Sequence, residues 1–478
     1  MTLKANLTML TDFYEITMAN GYFEQGIGEK IAYFDMFFRT IPDGGGYAIM
    51  AGLEQVTKYL DNLSFDDDDI AFLKSKNMFS DGFLEYLRNF EFKCDVWAIP
   101  EGTPIFPGEP LVIVRGPVIQ AQFIETMLLL IINHQSLIAT KAHRIVRAAD
   151  GRAVMEFGSR RAQGCDAAIY GARAAYIGGC CGTACTICEQ KFGISALGTM
   201  AHSWVQLFPD EYSAFCAYAS VYPQDCTLLI DTYNVMDSGL PNAIKVHNDV
   251  LVPLGYRLKG VRIDSGDIAY LTKKMRRELD KAGLTDCKIV VSNSLDEYII
   301  RDTLMQGACI DSFGVGERLI TSKSEPVFGG VYKLCAIESG GEIVPRIKLS
   351  ENVAKITTPG FKNLYRLFTP DNKAIADVIT LHDEVIDDTK PYTIFDPHFT
   401  WKKKKLTDFK TVPLLKKIYE NGKRVYENPS IEEIKAYCSE QINTLWDEVL
   451  RFENPHQYYV DLSEKLWDMK QNLINKYE

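Results

Sequence analysis

The chain has 478 residues, too many for one ordinary hydrophobic core, so two or three domains are expected. Its composition, 46% hydrophobic and 24% charged, is normal for a globular protein, and a net charge of −11 argues against a nucleic-acid binder. The N-terminal segment lacks a long apolar core, and the longest apolar run, 127–132, is far shorter than a membrane span. A cytoplasmic protein without nucleic-acid or membrane partners is therefore expected.

The first 140 residues mix helical and strand patterns and predict an N-terminal α/β domain. Within it, residues 91–118 form short apolar segments interrupted by Pro and Gly, which is typical of a small β subdomain. The strongly apolar run 119–149 predicts one or two helices that lead into the next domain.

Six later segments share one design, in which an apolar strand is followed by polar or glycine residues and then by a helical pattern. They are 153–164, 195–204, 226–235, 260–267, 288–297 and 309–319. Strands that alternate with helices predict βαβ units and a parallel sheet. Six in a row, with polar residues at each strand end, predict an irregular TIM-like α/β barrel over 141–325. An open doubly wound sheet is the alternative, but no GxGxxG turn stands at the first junction.

The remainder of the chain returns to strand patterns and then to helical ones. Alternating apolar residues at 328–350 predict that 326–375 pairs back with the N-terminal β subdomain. Amphipathic segments such as 430–452 predict a helical C-terminal extension over 376–478.

The cysteines are expected to be reduced thiols. The chain has twelve of them, without a paired framework or an export signal. A cluster lies in a stretch of small residues, which is typical of small buried hydrophobic side chains, and it lacks the second ligand pair of a zinc site. This cluster is Cys180, Cys181, Cys185 and Cys188.

The segment GVRIDSGD carries the densest polar chemistry. Its apolar strand runs into Arg262, Asp264, Ser265, Gly266 and Asp267. An arginine fork can bind a carboxylate or a phosphate, and two aspartates can orient a sugar hydroxyl or hold Mg²⁺. The alternative is a purely structural strand end with an N-capping Asp or Ser.

Six motifs follow one another along the chain. They are LTDFYEITM (10–18), EFGSRRAQG (156–164), LGTMAHSW (197–204), DTYN (231–234), GVRIDSGD (260–267) and GVGERLITSKSEPVFGGVYKL (314–334). Together they resemble the nicotinate phosphoribosyltransferase family, in an order that runs to about residue 370. The resemblance implies a type II phosphoribosyltransferase fold, in which an irregular α/β barrel packs on a smaller α/β domain. It also implies a homodimer whose active sites borrow residues from the neighbouring subunit.

The resemblance implies that nicotinate and phosphoribosyl pyrophosphate give nicotinate mononucleotide, with Mg²⁺ and with ATP hydrolysed through a phosphohistidine. Arg262 is expected to bind the nicotinate carboxylate and to act in catalysis with Asp264. Tyr14 and Phe157 are expected to stack on the pyridine ring, and Thr199 to touch the base. His202 matches the histidine that the family phosphorylates, and a neutral imidazole is a competent nucleophile near pH 7.

A larger set is expected to bind phosphoribosyl pyrophosphate. It comprises Arg160, Arg161, Ser265, Gly266, Asp267, Ser292, Asn293, Gly314, Gly316 and Glu317. The two arginines would point to opposite faces of an extended segment, so one of them reaches the ligand and the other forms a surface ion pair. Asp264 and Asp267 are the predicted Mg²⁺ ligands. A carboxylate at Glu317 would repel a phosphate, so it is expected to act through Mg²⁺ or to face away.

Three other functions are compatible with parts of this pattern. A nicotinamide phosphoribosyltransferase shares the fold but needs an acceptor for the amide NH₂ group. A quinolinate phosphoribosyltransferase is much shorter and lacks the histidine motif. A non-catalytic nucleotide sensor is disfavoured by the intact set of Arg262, His202 and Asp264.

Overall fold

The computed structural model describes residues 6–352 and 355–477. By its internal contacts the chain divides into two compact units. The first unit joins the residues up to 137 with those from 327 onward, and the second comprises 138–326. The division into four segments at 140, 325 and 375 stays a prediction.

Helices are distributed over both units. In chain order they are α1 (Phe13–Glu24), α2 (Leu53–Asp61), α3 (Asp67–Ser75), α4 (Asp81–Arg88), α5 (Val118–Phe123), α6 (Glu125–Ala148), α7 (Cys165–Ile177), α8 (Thr186–Phe192), α9 (His202–Gln206), α10 (Glu211–Val221), α11 (Leu240–Val246), α12 (Ile268–Lys281), α13 (Glu297–Met305), α14 (Glu317–Ile320), α15 (Ile431–Asn443) and α16 (Glu464–Tyr477). Several begin at an Asp or Ser whose side chain accepts a backbone N–H, namely Asp66, Ser80, Asp210, Asp267, Asp296 and Ser430.

Strands are short. They are β1 (Ile31–Phe37), β2 (Ala48–Ile49), β3 (Asp95–Ala98), β4 (Pro104–Ile105), β5 (Val112–Pro117), β6 (Ala153–Glu156), β7 (Gly182–Thr183), β8 (Thr227–Leu229), β9 (Gly260–Ile263), β10 (Lys288–Ser292), β11 (Ser312–Val315), β12 (Val331–Ser339), β13 (Glu342–Pro345), β14 (Lys362–Phe368), β15 (Ala374–Leu381), β16 (Tyr392–Phe395), β17 (Lys403–Leu406), β18 (Lys410–Pro413), β19 (Lys416–Glu420), β20 (Lys423–Arg424) and β21 (Val460–Leu462).

The second unit is built on a six-stranded sheet in the order β7-β6-β11-β10-β9-β8, and every pairing in it is parallel. Parallel strands that alternate with helices were predicted for this region, and this mixed α/β fold is confirmed. The first strand, β6, pairs with the last, β11, which is the order of a closed ring. Within the described ranges, however, no hydrogen-bonded ladder joins β7 to β8. The closed barrel is therefore not confirmed.

Parallel pairing brings the carboxyl ends of these strands to one edge of the sheet. The strands form because their β-branched and aromatic residues are buried. Val261, Ile263, Ile289, Val291, Phe313 and Val315 are all fully buried. The polar residues that follow each strand are consequently gathered at the same edge.

The first unit contains a seven-stranded antiparallel sheet in the order β13-β12-β1-β5-β3-β19-β20. A second sheet has the order β18-β14-β15-β21. The strand β12 pairs with β1, so residues separated by about 300 positions share one ladder. Their apolar side chains contribute to a large core with helices α2 to α5.

The C-terminal region from 376 to 478 departs from the predicted helical extension. It contains the strands β16 to β21 as well as helices α15 and α16. The strands were missed because lysines occupy three of the four positions of β17 and two of the five positions of β19, and little apolar alternation marks either strand. Leu406 of β17 is buried against Tyr365 and Ile375 from distant segments, which the local pattern does not reveal.

One helical stretch, 118–148, is long and apolar enough to cross a membrane by length and composition. This stretch is longer than the apolar run 127–132, because the uncharged polar residues after that run do not end the helix. Its most apolar window is 67% buried inside the structure. This burial is typical of a core helix in a soluble protein.

Candidate active site

A cleft of about 480 Å³ lies in the second unit, at the carboxyl ends of the parallel strands. Its lining comprises Phe157, Arg160, Arg161, Ala184, Leu197, Gly198, Thr199, Met200, Ala201, His202, Arg262, Asp264, Ser292, Asn293, Ser294, Gly314, Gly316, Glu317, Arg318 and Lys323. Most of the site residues predicted from the sequence are in this set. They come from the ends of strands β6, β9, β10 and β11 and from the segment before helix α9.

Four predicted residues are not in the lining. Ser265 donates its hydroxyl to Asp231 Oδ2 at 2.6 Å, and Asp267 caps helix α12 by accepting the N–H of Tyr270 at 2.8 Å. Gly266 has a φ of +85°, a left-handed conformation that favours glycine in this turn. Tyr14 lies on helix α1 of the first unit, and 45% of it is exposed.

The cleft is predominantly cationic. Five lining side chains are basic and two are acidic, the basic ones being Arg160, Arg161, Arg262, Arg318 and Lys323. Such an excess of guanidinium and ammonium groups in a concave site suits a polyanionic ligand. Arg318 and Lys323 were missed as site residues, although both stand in the motif 314–334, a few residues after its glycine turn.

Glu317 is paired rather than isolated among these cations. Its Oε1 atom lies 2.7 Å from Lys323 Nζ, and this hydrogen bond lowers the pKa of the Glu317 carboxyl group. Arg318, next to it, forms an ion pair with Asp296. The carboxylate is thereby held in its ionised form beside a lysine.

Arg262 projects from strand β9 into the cleft and is largely desolvated. Its Nη1 donates to Thr199 Oγ1 at 3.0 Å and to the Met200 carbonyl at 3.4 Å. Burial lowers its pKa, although the nearby Asp264 and Asp231 act in the opposite direction. Its Nε is buried and has no hydrogen-bond partner among the described residues. The guanidinium therefore retains a donor for a ligand group.

His202 stands at the start of helix α9 between two side chains of the segment after strand β8. Its Nδ1 is 3.1 Å from Thr232 Oγ1, and its Nε2 is 4.0 Å from Asp231 Oδ1. The imidazole side chain is 40% exposed, whereas the Asp231 side chain is 1% exposed. Asp231 Oδ1 is buried and finds no hydrogen-bond donor in the described part of the chain. Both ring nitrogens of the accessible imidazole thus face an oxygen atom.

Asp231 also organises the turn after strand β9. Its Oδ2 accepts the backbone N–H of Asp264 at 2.8 Å as well as the Ser265 hydroxyl. Although it was not predicted as a site residue, it is the first residue of the DTYN motif. Its position after a predicted strand, at the start of that motif, could have identified it as a site residue.

The Asp264 carboxylate accepts a hydrogen bond from the Ser292 hydroxyl at the cleft wall. Residues 6–352 and 355–477 contain no group of three or more His, Cys, Asp or Glu residues arranged to hold a metal. Mg²⁺ commonly takes only one or two protein carboxylates and completes its shell with water and substrate phosphates. The carboxylate of Asp264 at the wall of this cationic cleft fits that mode. Of the four clustered cysteines, Cys181 is exposed and the other three are buried.

The Phe157 ring lies close to Gly314 of strand β11. A Cβ atom at Gly314 would stand 2.5 Å from the Phe157 ring, so only glycine leaves room for the ring there. The main chain of Phe157 donates to the Val315 carbonyl at 2.7 Å. An aromatic ring is therefore fixed as part of the cleft wall.

Family models match this chain along nearly all of its length. The model described as the nicotinate phosphoribosyltransferase N-terminal domain matches residues 9–133. The model of the nicotinate phosphoribosyltransferase family matches 152–366, and that of the C-terminal domain matches 361–470.

Individual relatives agree with these matches. The nicotinate phosphoribosyltransferase of Bacillus subtilis is 44% identical over 98% of this chain and 96% of its own length. The human enzyme is 33% identical over 98% of this chain and 96% of its own length. The crystal structure of human nicotinic acid phosphoribosyltransferase superposes with a TM-score of 0.85 at 31% identity, covering 97% of this chain and 100% of that chain. A nicotinate-nucleotide pyrophosphorylase from Pyrococcus furiosus superposes with a TM-score of 0.71 at 25% identity, covering 93% of this chain and 97% of that chain.

Proposed function

The chain belongs to the nicotinate phosphoribosyltransferase family, and we propose that its cationic cleft joins nicotinate to phosphoribosyl pyrophosphate with the help of ATP. It is an enzyme of NAD biosynthesis, and its product is nicotinate mononucleotide. The observation that carries the site assignment is Arg262, a buried cation with an unused donor in a cleft lined by four further cations.

Nicotinate is bound at the inner part of this cleft. The Arg262 guanidinium faces the planar carboxylate, since a fork of N–H donors matches its two oxygens. Thr199, which Arg262 already contacts, touches the base, and the Phe157 ring stacks on the pyridine. A nicotinamide amide would bring its own N–H donors toward this cation and would bind less well.

Phosphoribosyl pyrophosphate occupies the cationic part of the cleft. Arg160 and Arg161 both line it, and Lys323 and Arg318 add two donors for the phosphate groups. The glycines of strand β11 and its end, together with Ser292 and Asn293, offer backbone and side-chain donors. Asp264 would hold Mg²⁺, and the metal would supply positive charge to balance that of the departing pyrophosphate. Ser265, Gly266 and Asp267 act indirectly by shaping the turn that holds Asp264.

ATP is used through His202. The exposed imidazole attacks the terminal phosphorus of ATP and is converted to a phosphohistidine, with ADP as the leaving group. Thr232 orients the ring through Nδ1 and leaves Nε2, which is 4.0 Å from Asp231 Oδ1, as the attacking nitrogen. The added phosphoryl group stands in the same cleft as the pyrophosphate site and favours its ligand-bound state.

The site-bearing unit is an irregular α/β barrel in this proposal, and the enzyme is a cytoplasmic homodimer with shared sites. The cyclic order of the six strands supports the barrel, since β6 meets β11 and, among the residues that the structure describes, only the β7–β8 seam lacks a ladder. A parallel bridge from Thr183 to Ala196 extends the sheet at that seam.

A substrate assay tests the proposed function. Purified protein with phosphoribosyl pyrophosphate, Mg²⁺ and ATP is expected to release pyrophosphate with nicotinate and to show little turnover with nicotinamide. Preference for nicotinamide would identify the amide-specific enzyme instead. Binding of the substrates without turnover of either base would identify a sensor.

A further inference from the structure

Glu156 is a buried carboxylate directly behind the cleft wall. It ends strand β6, is fully buried, and is absent from the cleft lining. One carboxylate oxygen, Oε2, accepts the Thr183 hydroxyl at 2.6 Å, and the other, Oε1, accepts the backbone N–H of Gly158. Both oxygens are therefore committed to neighbouring chain segments and neither faces the substrate.

The hydrogen bond to Gly158 holds the turn that presents the aromatic ring and two arginines to the cleft. Gly158 follows Phe157 and precedes the 3₁₀ turn Ser159–Arg161. Its surroundings are tight, because an added Cβ would lie 2.6 Å from Ile320 and 2.7 Å from the Gly316 carbonyl. The carboxylate thus fixes this turn at its entry, where a small rotation would displace Arg160 and Arg161.

The hydrogen bond to Thr183 fixes the next strand end. Thr183 Oγ1 also accepts the N–H of Cys185 at 2.9 Å, and the N–H of Ala184 donates to the Glu156 carbonyl at 2.8 Å. Ala184 lines the cleft. Glu156 therefore couples the ends of β6 and β7 through side-chain and main-chain contacts.

Burial of this carboxylate is unfavourable by itself. Desolvation raises the pKa of Glu156, and the two hydrogen bonds only partly oppose that rise. The cost of removing a carboxylate from water offsets much of what its hydrogen bonds contribute to stability. We therefore attribute the main effect of Glu156 to the geometry that its hydrogen bonds define. The geometry that it defines is the substrate-facing turn.

From these contacts we propose that Glu156 is a positioning residue for phosphoribosyl pyrophosphate, acting through the Phe157–Arg161 turn. The proposal rests on the proposed function for the identity of this ligand. Loss of Glu156 releases the Gly158 N–H and the Thr183 hydroxyl, so the turn and its arginines lose their fixed placement. Binding of the pyrophosphate substrate then weakens more than the chemical step.

The test compares Glu156→Ala with Glu156→Gln. The alanine variant is expected to raise the KM for phosphoribosyl pyrophosphate on the order of tenfold, with a smaller effect on kcat, since slight misplacement of binding groups is costly. In the glutamine variant the amide oxygen accepts from Gly158 and the amide nitrogen donates to Thr183. It should restore the KM to within about threefold of the unmodified enzyme, because the geometry and not the charge is required.

Glu211 provides the matched control. It is a buried carboxylate of the same unit, outside the cleft lining, that accepts hydrogen bonds from Ser238 and Asn242. Glu211→Ala should lower the thermal stability without changing the KM. If Glu156→Ala also lowers only the stability and leaves the KM unchanged, the positioning role is wrong.

Two further measurements keep the outcome interpretable. If Glu156→Ala does not fold, Thr183→Val, which removes one of the two contacts, is expected to raise the KM by severalfold, and an unchanged KM would overturn the proposal. Binding of phosphoribosyl pyrophosphate is also measured by calorimetry for every variant. Should the unmodified protein fail to turn over nicotinate, the proposed function fails, while the order of these binding constants still decides the role of Glu156.

Discussion

Arg262, a largely desolvated cation, is proposed to select the substrate. Arg262→Ala is expected to raise the KM for nicotinate strongly or to abolish turnover, while the fold is retained. The physical reason is that removing one member of a desolvated charged pair costs on the order of 2–5 kcal/mol. Arg262→Lys should recover only part of the loss, because an ammonium group lacks the planar fork. Steady-state kinetics with varied nicotinate measure both effects.

Arg257→Ala is a suitable control for this substitution. Arg257 belongs to the same unit and forms an ion pair with Asp286 at 2.7 Å, but both side chains are about half exposed. Its removal should leave the nicotinate KM unchanged. Normal use of nicotinate by Arg262→Ala would disprove the carboxylate assignment.

His202 is predicted to take up phosphate from ATP. Incubation with γ-labelled ATP should label the protein, and the label should be labile in acid and stable in base, as a phosphoramidate is. His202→Ala should lose both the label and the ATPase activity. It should still form some product, because Arg262 and the Mg²⁺ site are untouched and mainly the ATP benefit is removed.

The exposed His398, in the first unit, serves as the comparison. His398→Ala should keep the label and the ATP stimulation. Full ATP-stimulated turnover by His202→Ala would leave His202 as a structural hydrogen-bonding residue only.

Sequence patterns identified the residues that line the cleft better than those that support them. His202 and Arg262 stand in recognisable motifs, and the structure brings both into one cleft. Asp231 and Glu156 were not selected, because their importance lies in contacts between separate strand ends. A buried carboxylate that accepts two hydrogen bonds looks, in sequence, like any residue at the end of a strand.

At the scale of elements, strand β11 supports the aromatic wall of the cleft. Gly314→Ala is expected to displace the Phe157 ring, since the new methyl group would lie 2.5 Å from it. The strand should still form, because alanine fits an extended backbone. The KM for nicotinate should rise by about tenfold, as a displaced ring loses stacking and orientation.

A second glycine of the same cleft gives the contrast. A methyl group at Gly198 would meet nothing within 4 Å. Gly198→Ala should therefore have a clearly smaller effect on the same KM. Equal effects of the two substitutions would mean that Phe157 does not set the nicotinate site.

The alternation of strands and helices was sufficient to predict five of the six parallel strands. The segment 195–204, predicted as a sixth, contributes only an isolated bridge at Ala196, and the two-residue strand β7 was missed. Individual turns were harder to interpret. Asp267 was predicted to bind Mg²⁺, and in the structure it caps helix α12. Both roles use an acidic residue at the end of a strand, so the residue type alone does not separate them.

At the scale of the whole molecule, the first unit shows the limit of local patterns. Its main sheet joins β12 to β1 and β19 to β3, so its ladders depend on residues more than 290 positions apart. In the lysine-rich strands β17 and β19, the buried residues Leu406, Ile418 and Tyr419 belong to hydrophobic cores that include distant segments. No periodicity within 403–420 could have predicted this pairing.

The proposed sharing of active sites in a dimer predicts the behaviour of mixed protomers. Tyr14 precedes the first strand, and 45% of it is exposed on helix α1, which is compatible with contact to a second protomer. If Tyr14 of one protomer completes the site that contains His202 of the other, Tyr14→Ala and His202→Ala protomers should complement each other. In a two-fold symmetric dimer each heterodimer then has one intact site.

Random mixing in equal amounts should restore ATP-stimulated turnover to about a quarter of that of the unmodified enzyme, since half of the dimers are mixed and half of their sites are intact. The control mixes Tyr14→Ala with the double variant Tyr14→Ala/His202→Ala, which can form no site with both side chains and should gain no activity. Sedimentation velocity on the same samples gives the oligomeric state. A fully active monomer, or equal turnover in both mixtures, would show that each site is completed within one chain, and Tyr14 would then have no role across an interface.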